Sequence, residues 1–383
     1  MQIRQLNLFE EGRYHESIVE NDKKAALAKA EQRKQEEEKK KIVTISKGTN
    51  TASLHIGFEK ISNIPFDYEK IKTVVSDEKA WYVLSDDLWT SEDGSKWKKI
   101  EFSNKNAMDE LLYVNGTFIL FGTCDSQYFH STDGKNWKFG RFPETSHNHV
   151  DIFFAGNKWY LQEWGYLTSY TYVKEGIIWD SEETDKCQGT ILYSTSNLSE
   201  KWEKFNHKFS TGIYSSARSV SGDEDKLFAL CSYDSTYLNN TRITNRHAHF
   251  AFALNGKDWY EATCKADILK NYSEISGRFL KTKNGFICAS SIGIFHSEDG
   301  KKWDLINGEF HIYEPEFITV GNLLLINERF GGKSIYVSVD GKDFQEMLLE
   351  HRQDFIAAIK DTILLVDKSK TDGGVFLGKI QLS

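Results

Sequence analysis

Several shortages in this chain exclude whole classes of protein before any motif is read. No apolar run approaches the roughly 20 residues that a membrane-spanning helix needs. The N-terminal MQIRQLNLFEEGRYHES has no apolar stretch of the secretory kind. Basic charge is not in excess either: 48 Lys+Arg stand against 56 Asp+Glu, a formal charge of −8. A protein that grips nucleic acid with its own surface rests on a clustered basic footprint, so direct nucleic-acid binding is not expected. The five cysteines (Cys124, Cys187, Cys231, Cys264 and Cys288) are odd in number and never spaced Cys-x-x-Cys. That fits a reduced compartment and not a disulfide frame or a zinc site. A glycine-rich phosphate loop with its lysine, a dinucleotide fingerprint and a Gly-x-Ser-x-Gly elbow are all missing. The expectation is a cytoplasmic protein with no membrane contact and no cofactor.

Aromatic residues, by contrast, are plentiful: 10 Trp, 17 Tyr and 25 Phe make up 14% of 383 residues, a weighting that leans toward strands. Six segments share one punctuation. They are LWTSEDGSKW ending at Trp97, YFHSTDGKNW at Trp137, ILYSTSNLSEKW at Trp202, FAFALNGKDW at Trp259, IFHSEDGKKW at Trp303 and IYVSVDGKDF at Phe344. Successive ends lie 40, 65, 57, 44 and 41 residues apart, so the period is about 40, with extra residues in the third and fourth units. Such a period suits a four-stranded propeller blade.

Each unit reads alike. An apolar run meets a turn such as VNG (114–116) or KNG (283–285), and a second apolar run follows. A third run then ends at Ser, an Asp-Gly turn and an aromatic. Asp-Gly between strands is a hairpin signal, because Gly accepts positive φ and Asp can bond the turn's own amides. Cys124, Cys231 and Cys288 each close an apolar run, as a small buried residue repeated by the architecture would. After the sixth unit, DFIAAIK, TILLVD and GGVFLGKIQL supply three strands, and TASLHIGF (51–58) is placed to supply a fourth. The fold expected is all-β, a seven-bladed β-propeller with four-stranded blades over 42–383, its ring closed by an N-terminal strand. Six and eight blades are the alternatives.

The repeated Ser-x-Asp-Gly-x-x-Trp resembles the Asp-box (BNR-like) repeat of sialidase-like propellers, one residue shorter than the usual Ser-x-Asp-x-Gly-x-Thr-Trp. The resemblance covers about 300 residues and implies fold, not activity, since such boxes sit on outer hairpins away from any active site. Ser131, Asp133, Trp137 and their equivalents are therefore read as structural.

Blade geometry places the loops between second and third strands on the rim opposite the Asp-Gly hairpins. Both insertions fall in such loops, on adjacent blades. The first carries Trp164, Tyr166, Tyr170, Tyr172 and Trp179; the second carries Tyr233, Tyr237, Arg242 and Arg246. Aromatics and Arg dominate interface energetics, and long loops on a rigid scaffold tend to carry function. A protein partner is the expected ligand of this face; extra hairpins packed on their own blades are the alternative.

Residues 1–41 form an arm of different composition. DKKAALAKAEQRKQEEEKKK (22–41) is rich in helix formers without an apolar stripe, and reads as a solvated helix or a disordered spacer. With ten basic and nine acidic residues the arm is no nucleic-acid tail. Ahead of it, Gln5-Leu6-Asn7-Leu8-Phe9 resembles the peptide by which bacterial replication and repair proteins hold the DNA polymerase sliding clamp. That resemblance implies that Leu6, Leu8 and Phe9 fill an apolar pocket while the Gln5 amide satisfies polar groups at its edge. Docking of Ile3, Leu6 and Phe9 on the chain's own propeller is the alternative.

The enzyme alternative is a sialidase-like glycoside hydrolase, or a glycan-binding propeller. That family's pattern asks for three arginines around a substrate carboxylate and a Tyr–Glu pair. Arg218, Arg278 and Arg329 are candidates, with Tyr272 and Glu274 or Tyr313 and Glu314. The family's early Arg-Ile-Pro segment has no counterpart, and no catalytic residue is assigned. Two His-x-His pairs, His147/His149 and His247/His249, supply two ligands each where a catalytic zinc takes three, so no metal is assigned.

Overall fold

A computed structural model of the chain describes residues 24, 26–47, 50–101, 108–122, 127–143, 149–167, 170–174, 177–181, 187–205, 208–209, 215–223, 226–233, 236–238, 241–243, 248–253, 258–266, 269, 275, 277–308, 314–329 and 331–382. Within these, seven sheets, each with four antiparallel strands, follow one another along the chain. Their innermost strands are Thr73–Ser76, Glu110–Val114, His149–Ala155, Ser215–Asp223, Gly277–Thr282, Pro315–Val320 and Phe355–Ile359, defining blades one to seven.

In blades two and three the first two strands meet in a two-residue turn, and the turn composition explains it. Val114 pairs with Thr117 around Asn115 (φ 47°) and Gly116 (φ 71°), and Ala155 pairs with Lys158 around Gly156 (φ 54°) and Asn157 (φ 61°). Two successive positive φ values match the right-handed twist of the flanking strands, and Asn and Gly adopt them at least cost.

Blade seven closes the ring. Phe355–Ile359, Thr362–Asp367 and Gly374–Leu382 are its inner three strands, and Asn50–Lys60 is the fourth, with Leu54 opposite Leu382 and Lys60 opposite Phe376. A feature not expected from sequence is Val43–Lys47, which folds back on Asn50–Lys60 as a fifth strand. Short parallel strands also edge blade four (Lys208–Phe209) and blade five (Thr263–Cys264).

The core lies between blades. Phe228, Leu230 and Phe250 of blade four pack on Phe286, Cys288, Phe295 and Trp303 of blade five, with Phe250 stacked on Trp303 at 4.5 Å. Cys231 and Cys288 are fully buried, as their place at the end of an apolar run implies. Ahead of the ring, a helix through 26–40 is exposed on every side, and Lys40 Nζ reaches Glu346 of blade six at 2.6 Å.

The Asp-Gly turns sit on one rim. Ser131 Oγ donates to Asp133 Oδ1 at 2.9 Å, and that oxygen accepts the backbone N–H groups of Lys135 and Asn136 at 2.9 and 2.8 Å. Asp93, Asp299 and Asp340 repeat the arrangement with Ser95 and Lys96, Lys301 and Lys302, and Lys342 and Asp343. The indoles of Trp97 and Trp303 each donate to the carbonyl of their own turn glycine, Gly94 and Gly300, at 3.0 Å.

The glycine also answers to the neighbouring blade. A Cβ on Gly300 (φ 78°) would lie 1.9 Å from Phe228 of blade four, and one on Gly134 would lie 2.7 Å from Tyr82 of blade one. Asp-Gly thus serves both the turn and the seating of one blade on the previous one.

Candidate functional site

The rim opposite those turns holds the mouth of the central channel and both insertions. Innermost strands begin here, so residues near their starts ring the mouth. Glu110 opens its strand, while Asp151, Arg278 and Glu316 stand near the starts of theirs; Arg329 directly follows the second strand of blade six, Leu323–Glu328.

These side chains meet across the ring. Arg278 Nη1 of blade five donates to Asp151 Oδ2 of blade three at 2.6 Å. Arg329 Nη2 of blade six donates to Glu110 Oε1 of blade two, and its Nε lies 3.8 Å from Glu316. The Asp151 charge raises Arg278 above the usual guanidinium range. Burial pushes Glu110 up, against the opposing pull of Arg329. Both guanidinium groups are thus engaged by carboxylates of the protein itself. The side chain of Arg218 and all of Tyr272, Glu274 and Tyr313 lie outside the described residues. Glu314, at φ 47°, precedes the inner strand of blade six.

Two innermost strands carry a β-bulge near the mouth. In blade three the register steps from His149↔Glu163 to Asp151↔Gln162, leaving Val150 extra. In blade four it steps from Ala217↔Cys231 to Ser219↔Leu230, leaving Arg218 extra. Bulges bend a strand and re-aim the side chains beyond them. These are the same two blades that carry the insertions.

The first insertion is longer and more regular than a loop. The second and third strands of blade three, Lys158–Leu167 and Cys187–Thr195, stay paired out to Leu167↔Cys187. Trp164 and Tyr166 therefore stand in this paired extension, opposite Thr190 and Gln188. Strand two is ten residues long here against five in blade two, so the ribbon runs on by about 16 Å at the usual strand rise.

A separate hairpin caps the ribbon: Tyr170–Lys174 pairs with Ile177–Ser181, and Tyr172 faces Trp179. Blade four carries a smaller one, Thr236–Leu238 with Thr241–Ile243, in which Tyr237 faces Arg242. Backbone register thus places Trp164, Tyr166, Tyr170, Tyr172, Trp179, Tyr237 and Arg242. Arg246 and the Gln5, Leu6, Leu8 and Phe9 segment lie outside the described residues.

Among the described residues there is no group of three or more His, Cys, Asp or Glu able to hold a metal. His249 is buried on blade four opposite Cys231. His130 and His296, at equivalent repeat positions, meet Ser199 Oγ at 3.1 Å and the Asn284 carbonyl at 3.0 Å. Among the described residues no helix is long and apolar enough to cross a membrane.

No protein-family model and no curated protein matches the chain. Solved structures do. A streptogramin B lyase superposes with a TM-score of 0.55 at 11% identity, over 86% of this chain and 98% of that one. Virginiamycin B lyase from Staphylococcus aureus gives 0.51 at 14%, over 86% and 100%. A catalytically inactive form of that enzyme with quinupristin gives 0.52 at 12%, over 86% and 100%. At such identities the likeness is one of fold. The chain is a seven-bladed β-propeller of four-stranded antiparallel blades.

Proposed function

We propose that this propeller is a non-enzymatic protein-binding module whose insertion-bearing face recognises a protein partner, and whose segment Gln5–Phe9 tethers it to the DNA polymerase sliding clamp. One observation carries the reading of the face. Two hairpins extend adjacent blades on the side of the channel mouth, while Arg278 and Arg329 at that mouth are bound by Asp151 and Glu110. A hydrolase of the sialidase kind needs its guanidinium groups turned to a substrate carboxylate. A raised rim with aromatic and Arg positions is instead the composition of interface anchors.

The tether rests on the five-residue resemblance and on the spacer behind it, the exposed helix through 26–40. Titration of the intact protein against a purified bacterial sliding clamp tests it. The expected result is micromolar or tighter binding that a Gln5→Ala, Leu8→Ala, Phe9→Ala variant loses. No binding by the intact protein or by a peptide of residues 1–15 removes the clamp. The face is tested separately: a partner captured by the intact protein should be lost by both Trp164→Ala and Tyr237→Ala.

A further inference from the structure

Blades of a propeller ordinarily hold only their neighbours, and the ring stays shut because the two ends of the chain pair in one sheet. Here that sheet is blade seven, where Asn50–Lys60 lies beside Gly374–Leu382. The two bridges at the channel mouth are contacts of another kind, since each joins blades that are not neighbours. Asp151–Arg278 links blades three and five and so passes in front of blade four. Glu110–Arg329 links blades two and six across the channel.

The order of charges tells what the arginines do. Arg329 is held between Glu110 and Glu316, on opposite sides of the ring. Arg278 bonds Asp151 and feels the field of Glu316 and Glu314. Glu110 in turn feels Glu316 as a like charge. Carboxylates from blades two, three and six therefore face one another, with two guanidinium groups between them.

Removing one guanidinium leaves half-buried acids facing acids, whose mutual repulsion is a force directed outward. The side chains concerned are 18–37% exposed, and such pairs add little net stability when intact but cost much when one partner is lost. Asp151 also stands directly after the bulge at Val150, and a bulge re-aims the side chains beyond it.

We infer that Arg278 and Arg329 are a two-point latch: they close the channel mouth and pin blade four, with its inserted hairpin, between blades three and five. Without the latch the mouth opens on the insertion-bearing side, while the turns on the far rim keep their packing. The latch acts without any bound partner.

Hydrogen–deuterium exchange on the full-length protein tests it, with Arg278→Met and Asp151→Asn removing opposite ends of one bridge. Both should raise exchange about tenfold or more in the innermost strands of blades three and four (149–155 and 215–223), the signature of local opening. Turn peptides on the far rim, 91–97 and 338–344, should stay at wild-type rates. A charge swap, Asp151→Arg with Arg278→Asp, should bring the fast strands back to within about threefold of wild type. Exchange that rises equally in every blade, that rises nowhere, or that the swap fails to slow would overturn the latch. Should Arg278→Met fail to fold, the isosteric Asp151→Asn carries the same test from the other end.

Discussion

The two rims of this ring follow opposite rules. On one, four turns repeat a single device: a Ser and an Asp that satisfy the turn, a glycine pressed against the preceding blade, and an aromatic that closes over it. On the other, the described residues follow no such repeat. Acids and arginines from different blades meet across the channel, and hairpins extend blades three and four. Repetition marks what every blade must do to pack. Departure from repetition marks what one blade does for the whole molecule.

The contrast can be broken most sharply at the repeating rim. Trp303 is 1% exposed and stacked on Phe250, so Trp303→Ala should lower unfolding free energy by about 4 kcal/mol. Gly300→Ala, which drives a Cβ into Phe228 at positive φ, should cost about 3 kcal/mol. Urea midpoints of the two variants check both. A loss under 1 kcal/mol in either would mean that the turn merely decorates the blade.

The same rim should loosen in acid. The backbone N–H groups of Lys96 and Ser95 hold Asp93 down at about 2, and those of Asn136 and Lys135 hold Asp133 lower still. A carboxylate depressed by folding contributes stability that is complete above its unfolded value near 4 and fades as pH falls through the folded one. Amide exchange at Lys96 and Lys135, corrected for its intrinsic pH dependence, should therefore stay protected at pH 5 and lose protection toward pH 2. Protection that is flat across that window would show that the carboxylates are not what orders the turns.

The smallest effect belongs to the other rim. Tyr172→Ala and Tyr237→Ala lie in hairpins outside the four-stranded blades and should shift stability by no more than about 0.5 kcal/mol. Thermal melts check this. A drop of several kcal/mol would make those aromatics part of the blades' packing and remove the contrast between the rims.

Much of the frame was legible in the sequence because it repeats. The period near 40, the Asp-Gly punctuation and the three strands after Phe344 lead directly to seven blades and to a closing strand, observed as Asn50–Lys60. The loop position of both insertions was equally readable, though not the paired extension that carries Trp164 and Tyr166.

Of the channel mouth only the arginines were legible. Glu110, Asp151 and Glu316 occupy no shared motif, and what joins them to Arg278 and Arg329 is closure of the ring, which no local pattern encodes. The bulge at Val150 adds a further slip, since one extra residue shifts which side chain aims inward. Val43–Lys47 escaped for another reason: it falls within the 42–383 span read as propeller, but a five-residue run directly after a block of lysines belongs to no repeat unit and so names no partner strand. Blade three shows a repeat position put to a new use. It has Asn197 in place of the turn Asp, and its Trp202 indole donates to the Tyr128 hydroxyl of blade two at 3.1 Å instead of to its own turn.

The strand that completes blade seven sets the order in which this molecule can be made. Leu54 leaves the ribosome long before Leu382, its neighbour in the finished sheet. Throughout synthesis the early strand can pair with Val43–Lys47 on one side but keeps its other edge open, and such edges invite pairing with the wrong chain. Six blades can assemble as they emerge, but the seventh waits for Gly374–Leu382. Delay before Gly374–Leu382 is made therefore lengthens the interval in which this sticky edge is exposed, and termination ahead of that strand leaves the edge exposed for good.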